Sequence, residues 1–358
     1  MNMVSAYGRE LRDSAVSGWN RFWFSAVDPA TFCLIRLLAG GMLFYTHLVY
    51  TQDLLAFFGP HPWVNADALN ALQVESGGAF SYGFSYLWFL GGYPTLLWIT
   101  HIAALVVFAM LMLGWHSRVV SVLGFIIMAS YANRSPASLF GLDQINGLLA
   151  MYLMLGPSGA RYSIDRWLQK RRWKRQMQGL PASQQLPVPE PPPSIGANVG
   201  LRFIQLHMCV IYMFAGLGKL QGVSWWNGTA MWGSVANLEY QSLDMTWMYG
   251  HTLLMNVMTL VTVWWEISYS ALIWPRLTRP IVLALAVPLH LGIAIFLGMI
   301  TFGTVMLFGN LAFVSPRVVR AIIDRRSLTL EPSPETPATV DRPRRRKRGK
   351  NSSAAAMP

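Results

Sequence analysis

Charge is what this sequence has least of. Only 12% of its 358 residues are Asp, Glu, Lys or Arg, against about 25% in an ordinary soluble domain. Cysteine is nearly absent. The two that occur, Cys33 and Cys209, both fall in apolar stretches, so they read as small packing residues without a disulfide frame. None of the intramembrane ionisable residues stand at metal-ligand spacing, and no metal is expected. There is no phosphate-binding loop, no dinucleotide fingerprint and no Ser-His-Asp candidate, which removes the common nucleotide-dependent and hydrolytic chemistries. No internal repeat is visible, which weakens an inverted-repeat transporter. Nor is a cleavable leader expected: the first apolar span starts near residue 30, beyond a charged, Trp-containing stretch.

What remains is apolar. Hydrophobic residues make up 53% of the chain, mean hydropathy is +0.36, and the apolar residues come in long blocks. A helix needs roughly 20 such residues to cross a hydrocarbon core of ~30 Å. Only helices and closed barrels can cross, because backbone groups in lipid must pair internally. The blocks are continuous and not alternating, so helices are expected. Eight spans can be drawn, at about 30–50, 95–115, 119–135, 141–157, 200–220, 251–274, 280–297 and 299–315. The first opens at Asp28 and Pro29, a cap followed by a first-turn proline; the fourth ends at Gly156 and Pro157. The fold class expected is all-α, a polytopic transmembrane helical bundle of about eight spans.

The formal charge of +12 would suit a nucleic acid, but its placement argues otherwise. Seven of the 28 basic residues lie in 161–175 and seven in 342–350. Clusters beside apolar spans are the positive-inside signal and suit anionic lipid headgroups; no nucleic-acid partner is expected. With the N-terminus inside, 25 of the 28 fall on the cytoplasmic side, all but Arg36, Arg134 and Lys219. The opposite loops, about 52–94 and 221–250, carry Asp53, Asp67, Glu75, Glu239 and Asp244. They are rich in Trp and Tyr (Trp63, Tyr82, Trp88, Trp225, Trp226, Trp247), as interfacial pieces are. Both termini are therefore placed in the cytoplasm. The chain divides into an interfacial N-terminus (1–29), a membrane domain (30–316) holding a basic, Pro-rich linker (161–199), and a basic tail (317–358). Its C-terminal residues, about 327–358, are expected to be disordered.

Ionisable groups at membrane depth are costly and face cavities or each other. Here they are Arg36, His47, Asp143, His207, Lys219, Glu266 and His290. Gln205, Met208, Tyr212 and Gly216 share the helical face of Lys219, within about 60° at 100° per residue. Two readings of Lys219 stand. One is a lysine snorkelling to headgroups; the other is an amine held in an apolar pocket, where its charged form is disfavoured and it acts as a base. Arg36 and Glu266 read as an interhelical ion pair, His207 and His290 as hydrogen-bonded interhelical contacts, and Asp143 as a helix cap.

The run Val210-Ile-Tyr-Met-Phe-Ala-Gly-Leu-Gly-Lys-Leu220, followed by Trp225-Trp226-Asn227-Gly228-Thr229-Ala230-Met231, resembles the membrane domain of vitamin K-dependent gamma-carboxylases. It is similar also to their bacterial relatives, the horizontally transferred transmembrane (HTTM) domain proteins. Asp28-Pro29 with Ile35-Arg36, Phe58-Gly59-Pro60, Asn133-Arg134-Ser135 with Leu139-Phe140-Gly141, Tyr162-Ser163-Ile164-Asp165, and His290 with Phe296, Gly298, Phe302 and Met306 extend the match over about 28–316. The resemblance implies that Lys219 is the base that deprotonates a quinol (reduced vitamin K or menaquinol), which oxygen then converts into a strong base for carboxylation. It implies His290 as an accessory proton partner, with Tyr212, Trp225, Trp226 and Asn227 lining the cofactor pocket. The chain also departs from the family. Arg134 stands where the carboxylase has a histidine, Ile293 where it has an asparagine, and only a basic tail follows Pro316 where the animal enzyme continues into a lumenal domain. The protein substrate is left open.

Two functions follow: a carboxylase-like enzyme working at the outer face, or a non-enzymatic lipid- or quinone-binding subunit or permease on the same scaffold. A channel or voltage sensor is disfavoured, since the charges line no single helix and no span repeats arginine. The relatives point to a bacterial plasma membrane. The topology makes a direct prediction: a reporter fused after residue 345 is active only in the cytoplasm, and activity across the membrane would overturn the arrangement.

Overall fold

The structure is a computed structural model, and it describes residues 3–63, 68, 71, 74–75 and 83–325. Asp67, Tyr82 and the tail from 326 onward, with its basic run and expected disorder, lie outside the described residues. Among those described there is no β-strand, and the helices follow in order. They are α1 (Met3–Phe24), α2 (Ala30–Tyr50), α3 (Leu54–Phe58), α4 (Leu87–Leu90), α5 (Pro94–Leu113), α6 (Ser117–Arg134), α7 (Gly141–Leu153) and α8 (Ile164–Gln178). Then come α9 (Ile195–Leu220), α10 (Val223–Trp226), α11 (Ala230–Val235), α12 (Thr252–Leu272), α13 (Arg279–Phe296), α14 (Ile300–Asn310) and α15 (Pro316–Ile323).

A helix stands at each of the eight expected spans. Four of them, α2, α5, α9 and α13, are long and apolar enough to cross a membrane; a fifth candidate is the 300–323 pair, bent by 116°. The others fall short for local reasons. Helix α7 has 13 residues, about 20 Å at 1.5 Å each. Helix α12 is long, but Asn256, Trp264, Trp265 and Glu266 dilute its hydropathy.

Two cores meet along α2. One joins Phe32, Ile35 and Ala39 to α7, α9, α12, α13 and α14; the other joins Leu43 to α3, α5 and α6. Between lipid-facing helices the hydrophobic effect gives little, so polar contacts and close approach carry much of the association. Arg36 is the clearest case. It is fully buried and donates to the carbonyls of Leu111 (2.7 Å) and Met112 (2.6 Å) at the end of α5. It also donates to those of Ser158 (3.0 Å) and Tyr162 (2.5 Å) beyond α7. A cation there answers orphan carbonyls and the negative end of the helix dipole together. Gly114 makes room for it. Its φ is +69°, and a Cβ there would lie 2.6 Å from an Arg36 nitrogen.

The same end of the bundle is laced by charge. Asp28 accepts from the Ala30 amide (2.9 Å), so it caps α2 as its sequence suggests. It also meets Arg161 (3.1 Å) and Arg320 (3.0 Å), and Arg161 reaches Glu190 (2.8 Å). The start of α2, the turn after α7, the Pro-rich stretch and α15 therefore meet at one level. A two-bond bridge between Val27 and Ser194 fastens the stretch further (3.2 and 2.8 Å). Helix α8 lies inside the basic linker, capped by Ser163. Asp165, in its first turn, accepts from the His116 amide and from the Ser117 amide and hydroxyl at 2.7–2.9 Å. Burial pushes its carboxyl up, but those bonds outweigh it and hold it below the ordinary range. Helix α1 was not foreseen as a helix. Asn198 caps its last carbonyls, those of Phe22 and Trp23 (2.8 and 2.9 Å), and Trp23 rests on Phe203.

Replacing Arg36 by Leu takes a donor from four carbonyls, of which, among the described residues, only Leu111 O keeps another, the Gly114 amide. The expected cost is about 3–5 kcal/mol, read as a lower unfolding temperature in detergent. A loss below about 1 kcal/mol would mean that water answers those carbonyls instead.

Candidate functional site

Lys219 is the last residue but one of α9, and its stripe faces inward. Gln205, Met208 and Tyr212 are buried along it, and the Gln205 amide donates to Ala312 O (2.7 Å). Gly216 lets α12 come close: a Cβ there would sit 2.9 Å from Ile267 Cγ1 and 3.2 Å from Glu266 Cβ. One turn on, Lys219 Nζ lies 3.0 Å from Glu266 Oε1 and 2.7 Å from Oε2. The glutamate side chain is 8% exposed and the lysine side chain 23%. Trp225 covers the amine, its ring centre 5.2 Å from Nζ, a cation–π distance.

This corrects the expected Arg36–Glu266 pair. Arg36 is used up by carbonyls at the end of α5 and beyond α7, and Glu266 takes Lys219. The partner of Lys219 lies about 21 Å along α12 from Thr252, well inside that helix. What stands there is an ammonium–carboxylate pair roofed by an indole.

A second polar centre lies deeper on the same stripe. Tyr212 Oη is 3.0 Å from His290 Nε2 and accepts from Asn310 Nδ2 (2.8 Å); Asn310 Oδ1 accepts from Tyr269 (2.8 Å). His290 Nδ1 faces Ala286 O at 2.8 Å. A carbonyl only accepts, so Nδ1 carries the proton and Nε2 accepts from the Tyr212 hydroxyl. Every bond then runs one way, Tyr269 to Asn310 to Tyr212 to His290 to Ala286, through α12, α14, α9 and α13. The indole of Trp265 closes the wall by donating to Val282 O (3.1 Å).

Six residues were expected to form one site, and they divide. Lys219 and Trp225 come together. Tyr212 and His290 pair with each other, two turns inward. Trp226 donates its indole N–H to Leu220 O (2.7 Å) with its ring exposed, and Asn227 accepts from the Thr229 amide (3.1 Å) and hydroxyl (2.6 Å). Both hold the turn after α9. Of the other ionisable groups, Asp143 caps α7 through the Phe140 amide (3.1 Å), and His207 meets Tyr152 (2.5 Å). Asn310 and Tyr269 escaped a reading based on ionisable groups. An uncharged amide inside the apolar run 300–310 was the available signal.

A groove of about 390 Å³ opens between α7, α9 and α14, lined by Gln144, Leu148, His207, Phe214, Phe302 and Met306 among others. At 100° per residue its centre on α9 lies about 130° around the helix from Lys219, so groove and amine face different sides. No family model, curated protein or solved structure matches the chain.

The ion pair is testable by a double-mutant cycle. Lys219→Met leaves Glu266 buried and uncompensated, at an expected cost of about 3–5 kcal/mol, whereas the double variant with Glu266→Leu costs less than either single change. Unfolding in detergent reads the cycle; near-neutral single variants would mean that water screens the pair.

Proposed function

We propose that the chain is an eight-span protein of a bacterial plasma membrane, with both termini cytoplasmic, that deprotonates a quinol at Lys219 and Glu266. The observation that carries this reading is the ion pair itself: an amine and a carboxylate held together beside an aromatic ring, among apolar helices. The charge belt of Asp28, Arg161, Glu190 and Arg320 supports the topology. It gathers one set of helix ends on the side that carries most of the basic residues.

The chemistry asked of the pair is a proton transfer. In a dry site two opposite charges are costly to keep. Passing one proton from Lys219 Nζ to the Glu266 carboxylate gives a neutral amine and a neutral acid. The amine then accepts a hydroxyl proton, with Glu266 holding the first. Reduced vitamin K or menaquinol, when bound, supplies that weakly acidic hydroxyl. Trp225 offers the flat apolar surface on which such a ring stacks. The resemblance to carboxylase membrane domains supports the assignment and suggests oxygen-dependent epoxidation, with carboxylation as its use.

The groove on the far side of α9 supports a second reading, a lipid- or quinone-binding subunit or permease without chemistry at Lys219. Quinol epoxidation by the purified protein separates the two. Epoxide that the parent forms and Lys219→Ala does not, lower by about two orders of magnitude or more, is the expected result. No epoxide from a folded parent shown to bind quinone selects the second reading.

A further inference from the structure

Arg134 is the second deeply buried arginine of the bundle, at the last residue of α6, and its surroundings differ from those of Arg36. It is 5% exposed. The Trp88 ring lies 4.4 Å from its guanidinium carbon and covers one face. Nη2 reaches only Gly59 O at 3.5 Å, the weak limit of a hydrogen bond. Nε and Nη1 meet no acceptor among the described residues. A buried cation without acceptors costs several kcal/mol, and Arg36 shows how this fold satisfies one when it needs only itself.

The shortage of partners extends around Arg134. Ser130 Oγ, His47 Nε2 and both amide atoms of Asn146 are also buried without a partner among the described residues. Ring contacts link the elements that carry these positions. Tyr131, beside Ser130 and one turn from Arg134, lies 4.7 Å from the His47 ring and 6.1 Å from Tyr50, centre to centre. Tyr50 reaches Asp143 (3.5 Å), one turn from Asn146. The nearby carboxylate does not serve Arg134: Asp143 accepts from the Phe140 amide and Tyr50. His47 Nδ1 faces Leu43 O (2.8 Å), which makes Nε2 an acceptor.

The geometry points to an oxyanion site at the ends of α2 and α6 and the start of α7, with Arg134 as its anchor. The ligand brings carboxylate or phosphate oxygens to the guanidinium, the acceptor type that matches it best. The unpartnered polar atoms of Asn146 on α7 and His47 on α2 are the further candidates to meet hydroxyl or amide groups of a larger ligand. Such oxygens belong either to a small soluble anion or to the headgroup of an anionic lipid. The site is separate from the Lys219–Glu266 pair and stands or falls without it.

The test uses the full chain purified in neutral detergent at constant ionic strength. Inorganic phosphate and acetate are titrated and read by thermal unfolding. Retention of phosphatidylglycerol against phosphatidylcholine is read by native mass spectrometry. Saturable stabilisation by phosphate or acetate, weakened about tenfold or more in Arg134→Gln and unchanged in Arg172→Gln, assigns a soluble oxyanion. Selective retention of phosphatidylglycerol, lost in Arg134→Gln alone, assigns a headgroup. Neither response in the folded parent, or equal responses in parent and Arg134→Gln, overturns the site. Stability of the ligand-free variant gives a second check. An arginine waiting for a ligand loses nothing on becoming Gln, whereas a drop as large as that of Arg36→Leu would make Arg134 structural and sink the proposal. If Arg134→Gln does not fold, that counts as such a drop.

Discussion

The Arg36 guanidinium fixes where one set of helix ends meets. Four carbonyls from two separate chain breaks converge on it, so the end of α5 and the segment beyond α7 are positioned by one side chain from α2. In water such carbonyls would be solvated and the arginine optional. Among apolar helices neither alternative exists: the carbonyls need donors and the cation needs acceptors. The belt extends the same logic outward from buried Arg161 to half-buried Asp28 and Arg320 and exposed Glu190. There each pair adds little alone, and the network gains from sharing Asp28 and Glu190 between two arginines.

Beyond that anchor, helix α9 carries both polar centres of the second half. Apart from Met208 its buried stripe is polar or small, and each of those members has a different neighbour: Gln205 an α14-side carbonyl, Tyr212 the His290 and Asn310 side chains, Gly216 the backbone of α12, Lys219 the Glu266 carboxylate. The Tyr212 network is satisfied at each hydrogen bond and bridges four helices, the form in which buried polar groups specify a unique packing. Among the described residues Lys219 and Glu266 have each other and an indole, and Glu266 Oε2, though close to Nζ, makes no well-angled hydrogen bond. The pair is therefore the less fully bonded of the two centres, and the tyrosine–histidine network stands behind it.

Much of the fold was legible in the apolar runs. Helices fall within a few residues of the eight expected spans, Asp28 and Asp143 cap as their neighbours suggested, and His207 and His290 proved to be interhelical contacts. Partner choice was less legible. A list of intramembrane charges pairs Arg36 with Glu266 because their signs match, but the guanidinium is answered by carbonyls, which carry no sequence signal. Neutral amides carry no such signal either: Asn310 and Asn146 bear no charge, yet one completes a network and the side chain of the other has no partner among the described residues. Helices α1 and α8 lie in charged segments where apolar periodicity is weak, and each is set by a contact from elsewhere in the chain, Asn198 for one and the turn before α6 for the other.

The angular separation around α9 constrains any ligand chemistry. A molecule in the groove of His207 and Phe214 lies about 130° around the helix from Lys219, so it does not face the amine. Access to the amine lies on the side of the turn at 221–229, where Lys219 keeps its 23% exposure. That turn is held from within and from α12: Trp226 by Leu220 O, Thr229 by Asn227, and the Gly228 carbonyl by the Thr259 hydroxyl (3.0 Å). Gly228 adopts φ +79° against Asn256, where a Cβ would come within 2.5 Å of the amide oxygen, so the backbone path there admits little but glycine. Trp226 and Asn227 thus bear on the site by setting the edge of its entrance, and Trp225 is the residue they hold over the amine.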